Sequence, residues 1–360
     1  MDFVAKFPIS ERLTQPLRAV LRGEQSDWPD ELTAEEGQAL IEHGIAPLVY
    51  AATHAPSLRG EAIRAAAFEP LRAADLTVVL EALASRGVEA LVIKGSALAY
   101  EVYASPDLRP RGDTDILIAR KDVDASRAAL LELGLKETIG SGDEHAVRQM
   151  IFTRANGLTY DVHWSVSNLA LFQSLLAYDD LRTRAVALPP LGPHARGLAR
   201  ADALLLACIH RVAHHHDSDR LIWLADIAYL RERMSPEEHR AFWRNAAAGK
   251  VVTVCTRSIE LADAWFAPAP QDRAEEYLTQ EELMQDEPSR VMLDREITYA
   301  RVLAANFRAL PWPARIARLR QLAFPPEAFM RTSFRSNAPL PWLYLRRALR
   351  GVTKLFRRAR

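Results

Sequence analysis

The spacing of apolar residues changes twice along this chain, near Gly87 and again near residue 166. That double change restricts the available folds more than any other feature. Apolar residues three and four apart build helices, whereas alternation and short apolar runs build strands. Up to residue 86, the segments ERLTQPLRAVLRG, TAEEGQALIEHGIAPLVYAATHA and 61–86 have helical spacing, and Thr33 and Glu36 are placed for a capping box. After Gly87 come VEALVI (88–93), a helical ALAYEVY and DTDILI (113–118). An amphipathic helix over 122–134 ends at Gly134, and two strand-like segments follow, VRQMIFTR (147–154) and LTYDVHW (158–164). Asn156-Gly157 between these two predicts a hairpin turn. Helical spacing returns from about 168 to 310, with breaks near Pro189-Pro190, Ser235-Pro236 and Pro268. The expected class is α+β: a mixed-sheet core over 87–165, helical regions over 1–86 and 166–310 flanking it, and a tail over 311–360.

Composition excludes several alternatives. The 360 residues suffice for two or three structural units, and 49% hydrophobic with 26% charged residues is not a disordered composition. Two cysteines, Cys208 and Cys255, rule out a disulfide framework and a cysteine-based zinc site. The first residues lack the apolar stretch of a secretory signal, and no apolar run is long enough to cross a membrane, so a cytoplasmic location is expected.

The net charge is zero but unevenly distributed. Residues 311–360 hold eleven arginines and one lysine against a single acid, Glu327, a net of +11; the rest of the chain carries −11. The simpler expectation is that this tail packs on its own acidic body. The alternative is an anionic partner, RNA or a membrane surface, met by the amphipathic LPWLYLRRALRGVTKLFRR.

Asp113-Thr114-Asp115 opens an apolar strand. Residues two apart on a strand share a face about 6.6 Å apart, so both carboxylates converge while Thr114, Ile116 and Ile118 face the other way. Two such charges repel unless a cation lies between them, and hard oxygen ligands select Mg²⁺ or Mn²⁺. The same spacing recurs at Asp122/Asp124, where a helix N-terminus accounts for it, and at Asp217/Asp219, expected to be a solvated turn. Strand 88–93 runs through Lys94 into Gly95-Ser96 and a helix, an arrangement suited to phosphate. Asp161 shares a strand face with His163; beside 113–118 it would add a third carboxylate. Lys94, Arg109 and Arg111 can neutralise phosphates or form ion pairs with nearby acids.

IKGSALAYEVY, LRPRGDTDILI, YDVHW and LIWLADIAYL, in that order, resemble a large bacterial nucleotidyltransferase family within the DNA polymerase β-type superfamily. The resemblance implies that Gly95 and Ser96 hold a nucleoside triphosphate. It further implies that Asp113 and Asp115 bind metal and that Asp161 assists as ligand or general base. The implied reaction moves a nucleoside monophosphate from a nucleoside triphosphate, with ATP the first choice although no residue identifies the base, to a hydroxyl acceptor of unspecified identity, as in natural-product or polysaccharide tailoring. A nucleotide- or partner-binding protein with weak or lost catalysis, such as a toxin–antitoxin component, is the alternative. The sixteen residues between Ser96 and Asp113 exceed the superfamily's usual gap but suit the narrower family's arginine-bearing loop.

His210, His214, His215 and His216 form a helical cluster without the glutamate of a metalloprotease helix. Under the resemblance, His210, Arg220 and Asp226 line the acceptor side of a cleft. No Walker A, dinucleotide-binding or nucleophile-elbow motif occurs.

Overall fold

The computed structural model describes residues 8–139, 148–173, 175–215, 217–267, 272–294, 296–325, 327–334, 336 and 338–355. Val147, His216, Pro268 and residues 356–360, all part of the expectations above, lie outside the described residues.

Four helices lead into the sheet: α1 (Glu11–Leu21), α2 (Ala34–Glu42), α3 (Ala46–Thr53) and α4 (Arg59–Ser85). Thr33 caps α2 as expected: its hydroxyl accepts from Glu36 N at 3.1 Å, and Glu36 Oε2 accepts from Thr33 N at 3.0 Å. The core then runs β1 (Leu91–Ile93), α5 (Lys94–Glu101), β2 (Thr114–Leu117), α6 (Val123–Glu132), β3 (Lys136–Ile139), β4 (Gln149–Thr153) and β5 (Thr159–His163). Strand order is β1-β2-β5-β4-β3. β2 and β5 are parallel, and the other neighbours are antiparallel. The sheet is therefore mixed, as the α+β reading expects.

The β4–β5 hairpin turns at Asn156-Gly157, where Gly157 takes φ +88°, a conformation a side chain would resist. The first and last apolar runs form shorter strands than the sequence pattern suggests. β3, with polar Lys136, Glu137 and Thr138, has no apolar run to announce it.

The alternation of strand side chains divides the core. Val92, Ile116, Ile118, Met150, Phe152, Tyr160 and Val162 pack in one cluster with Leu76, Val79, Leu80 and Leu83 of α4 and Leu130 of α6. Leu91, Ile93 and Leu117, on the opposite face, join the larger cluster built by the flanking helices. Those helices are α1, α2 and α3, with Leu13, Leu17, Leu40 and Val49, together with α7 (Ala170–Gln173), α8 (Tyr178–Arg184), α9 (Arg200–Ala213), α10 (Leu221–Glu232), α11 (Pro236–Ala248) and α12 (Val252–Phe266); α13 (Gln280–Met284) and α14 (Tyr299–Ala309) follow. α9, α10 and α12 pack together, with Leu204, Leu205, Leu224, Ile227 and Val254 fully buried. Ser235 and Glu238 form a capping box at α11.

Asp217 departs from the solvated turn expected of it. It is 5% exposed and ion-paired at 2.7 Å with Arg211, itself fully buried on α9. The charge of Arg211 requires a partner in that interior, which is why the acid turns inward.

The tail forms α15 (Trp312–Ala323), α16 (Glu327–Phe334) and α17 (Leu340–Leu355). α17 packs against α16 and touches α14, so the tail rests partly on the body.

Candidate active site

The junction of β1 and α5 is tight. Ile93 is extended, Lys94 enters the left-handed region at φ +55°, and the helix begins at once. That backbone costs a non-glycine residue about 1–2 kcal/mol, so local contacts must hold it. Lys94 Nζ, 2.6 Å from Asp115 Oδ1, supplies such a contact.

Asp115 lies directly across from Asp161 in the parallel β2–β5 register, the adjacency the sequence made conditional on strand pairing. His163, two residues further along the same face, brings Nε2 to 2.8 Å from Asp115 Oδ1 and 3.4 Å from Asp161 Oδ2. One ligand atom from each of the three lies within 4.8 Å of the others. Asp113, just before β2, stands outside this group and is exposed at the cleft mouth, where its carbonyl accepts from Ser96 Oγ at 3.4 Å.

The electrostatics of the three acids diverge. Burial alone would raise Asp115, but the charge of Lys94 and the contact with His163 hold it well below the usual carboxylate range. Burial pushes Asp161 up to about 6, opposed by His163 and helped by Asp115. Asp113 is also raised, first by the protein crowding it and then by Asp115. Water still reaches it from the mouth.

One atom bears directly on what the cluster can bind. Asp161 Oδ2 accepts from Gln149 Nε2 at 3.2 Å, but its buried Oδ1 meets no hydrogen-bond donor among the described residues. A buried carboxylate oxygen left open is costly unless something positive occupies the space beside it. Two carboxylates and an imidazole fit a divalent cation. The oxygens suit Mg²⁺ or Mn²⁺, and the nitrogen favours Mn²⁺ of the two.

Arg109 and Arg111 both line the cleft, and each is held by a buried acid. Arg109 makes a two-pronged pair with Asp226 of α10, at 2.8 Å and 2.7 Å, and Tyr103 donates to the same carboxylate at 2.7 Å. Arg111 reaches Glu69 of α4 at 2.6 Å. Gly95 has a structural task here: a Cβ at that position would lie 2.9 Å from the Arg109 guanidinium. The glycine thus lets the arginine lie against the turn and clamp it to α10.

The opposite wall of the cleft is helical. His210, on α9, lies with its ring centroid 4.7 Å from that of His215. His215 stacks on Trp223 of α10 at 3.9 Å, and Arg220 lies over the same indole at 5.2 Å. Burial and then the neighbouring His214 push His215 down to about 3, so this wall offers a neutral imidazole at pH 7. Between the walls lies a cavity of about 480 Å³, within the size range of small-molecule sites. Sequence spacing does not single out Trp223 and marks His163 only as a neighbour of Asp161 on its strand; their distances, not their spacing, place them here.

A family model described as an uncharacterised nucleotidyltransferase matches residues 37–267, which include both walls of this cleft. The chain belongs to that family. No curated protein matches it. In this family member, a transferase by family, Lys94, Gly95, Ser96, Arg109, Arg111, Asp113, Asp115 and Asp161 all line a single cavity. No helix among the described residues is long and apolar enough to cross a membrane.

Asp161 leads to a pH prediction. Its folded-state pKa is raised, so its protonated form is favoured at low pH; the stability this contributes is lost as pH rises through about 6. A cation needs the ionised form and competes with that proton. Mn²⁺ affinity is therefore expected to rise roughly tenfold between about pH 5 and pH 7, and Asp161→Asn should flatten the profile. Calorimetric Mn²⁺ titrations across that range would measure it.

Proposed function

We propose that this protein transfers the nucleoside monophosphate of a nucleoside triphosphate, ATP in the first instance, to a hydroxyl group of an acceptor. The observation that carries this reading is Asp161, in register beside Asp115 and within reach of His163, with a buried oxygen lacking a donor among the described residues. Asp115 and Asp161, with His163 beside them and Asp113 at the mouth, would hold Mg²⁺ or Mn²⁺. A divalent cation supplies the positive charge that a phosphorus centre under attack requires.

The remaining roles fall to the chain itself. The acceptor oxygen forms a bond to the α-phosphorus while the bond from that phosphorus to the bridging oxygen of pyrophosphate breaks. Asp161 takes the acceptor's proton or completes the ligand set. Lys94 can move from Asp115 towards a phosphate once another cation neutralises that acid, and Gly95 and Ser96 present the start of α5 to the triphosphate. Arg109 and Arg111, each engaged by an acid, act by shaping the loop before Asp113 and adding positive potential.

A second reading draws on one specific contact. Lys94 itself neutralises Asp115, as suits a protein that binds nucleotide with weak or lost catalysis. A labelling experiment separates the two. Purified protein is incubated with Mn²⁺, a cell extract supplying acceptors, and ATP labelled at either the α- or the γ-phosphate. Transfer of the α-label alone supports nucleotidyl transfer. Transfer of the γ-label identifies a kinase, and no transfer despite nucleotide binding favours the second reading.

A further inference from the structure

The tail's two longer helices each carry an apolar stripe on the outside. On α15, Trp312, Ile316 and Leu319 recur at i, i+4 and i+7 and therefore share a face; they are 71%, 66% and 53% exposed. On α17, Trp342, Leu345 and Leu349 do the same at i, i+3 and i+7, with 56%, 51% and 63% exposure. Internal packing does not need these side chains. Leu343 of α17 and Met330 of α16 are fully buried, and Tyr344 donates to the carbonyl of Pro325 at 2.8 Å. Single exposed apolar residues are common on protein surfaces, but a stripe on each of two helices in one segment signals contact with something apolar.

Charge indicates the partner. The stripes lie in the segment that carries +11 against −11 for the rest of the chain, and Arg320 and Arg346 are exposed on the same two helices. We propose that α15 and α17 dock this protein on an anionic lipid bilayer. The tryptophans and aliphatic side chains enter the interface, and the arginines meet the headgroup phosphates. Both properties are needed, and a bilayer offers both. RNA would satisfy the arginines and could stack on Trp312 or Trp342, but Ile316, Leu319, Leu345 and Leu349 present no flat face to a base.

Co-sedimentation of the full-length protein with vesicles tests this. Vesicles of phosphatidylglycerol and phosphatidylcholine in equal parts are compared with pure phosphatidylcholine, at low and high salt. Binding is expected on the anionic vesicles only, weakening as salt rises. A Trp342→Ser/Leu345→Ser/Leu349→Ser variant should bind on the order of tenfold less tightly. Arg320→Glu/Arg346→Glu should weaken binding and reduce its salt dependence. All five positions are exposed, and circular dichroism checks that the variants stay folded. Equal binding to neutral vesicles, an unaffected triple variant, or binding to an RNA homopolymer without binding to vesicles would overturn the proposal.

Discussion

With Asp113 and Asp115 both replaced by asparagine, nucleotidyl transfer should fall on the order of 10³-fold, about 4 kcal/mol of transition-state stabilisation. The substitution removes negative charge from the cleft while preserving the shape of both side chains. Asparagine in place of Asp115 still offers Lys94 an amide oxygen, so the strained turn at Lys94 keeps its contact. The loss should therefore appear in the rate of α-label transfer and leave the circular dichroism spectrum unchanged. Asp115→Asn alone should account for most of it, because Asp115 stands within the Asp-Asp-His group and Asp113 outside it. A double variant that transfers label at the wild-type rate would remove the carboxylates from the mechanism.

Truncating Arg109 or Asp226 to alanine should destabilise the protein by about 3–5 kcal/mol, the usual cost of leaving one member of a buried ion pair without the other. Both side chains are almost completely buried, and their double hydrogen bond ties the loop before β2 to α10. Asp226→Ala leaves the Arg109 charge against the backbone of Gly95, so the turn that positions Lys94 and Ser96 should loosen as well. Urea unfolding of each single variant and of Arg109→Met/Asp226→Leu would measure the effect. The apolar pair should recover much of the stability, since neither charge is then stranded. Activity should not return with it, because the loop loses its fixed geometry.

Local chemistry made much of this legible in advance. Thr33 and Glu36, Asn156-Gly157 and the strand at Asp115 each follow from residues a few positions apart, and the structure agrees on all of them. The strand faces were legible too, since alternation puts Asp161 with His163 and Ile116 with Ile118. What stayed hidden depends on residues distant in sequence. Arg109 and Asp226 are 117 residues apart, and no periodicity links them. Gly95 reads as a turn suited to phosphate, and nothing near it in sequence shows that Arg109 also fills the space at its missing Cβ. Asp217 looked solvated because the buried charge it answers, Arg211, sits on a helix whose apolar spacing conceals it. β3 is not legible in the sequence because an edge strand of polar residues carries neither an apolar run nor clear alternation.

The Asp115–Asp161–His163 group as a cation-dependent triphosphate site is tested most directly by calorimetry. A non-hydrolysable ATP analogue is titrated into the wild-type protein and into Asp115→Asn, with Mn²⁺, with Mg²⁺ and with chelator. Expected is binding that requires the divalent cation, is tighter with Mn²⁺, and is lost in the variant. Binding that is equally tight in chelator, or unchanged in Asp115→Asn, would contradict it.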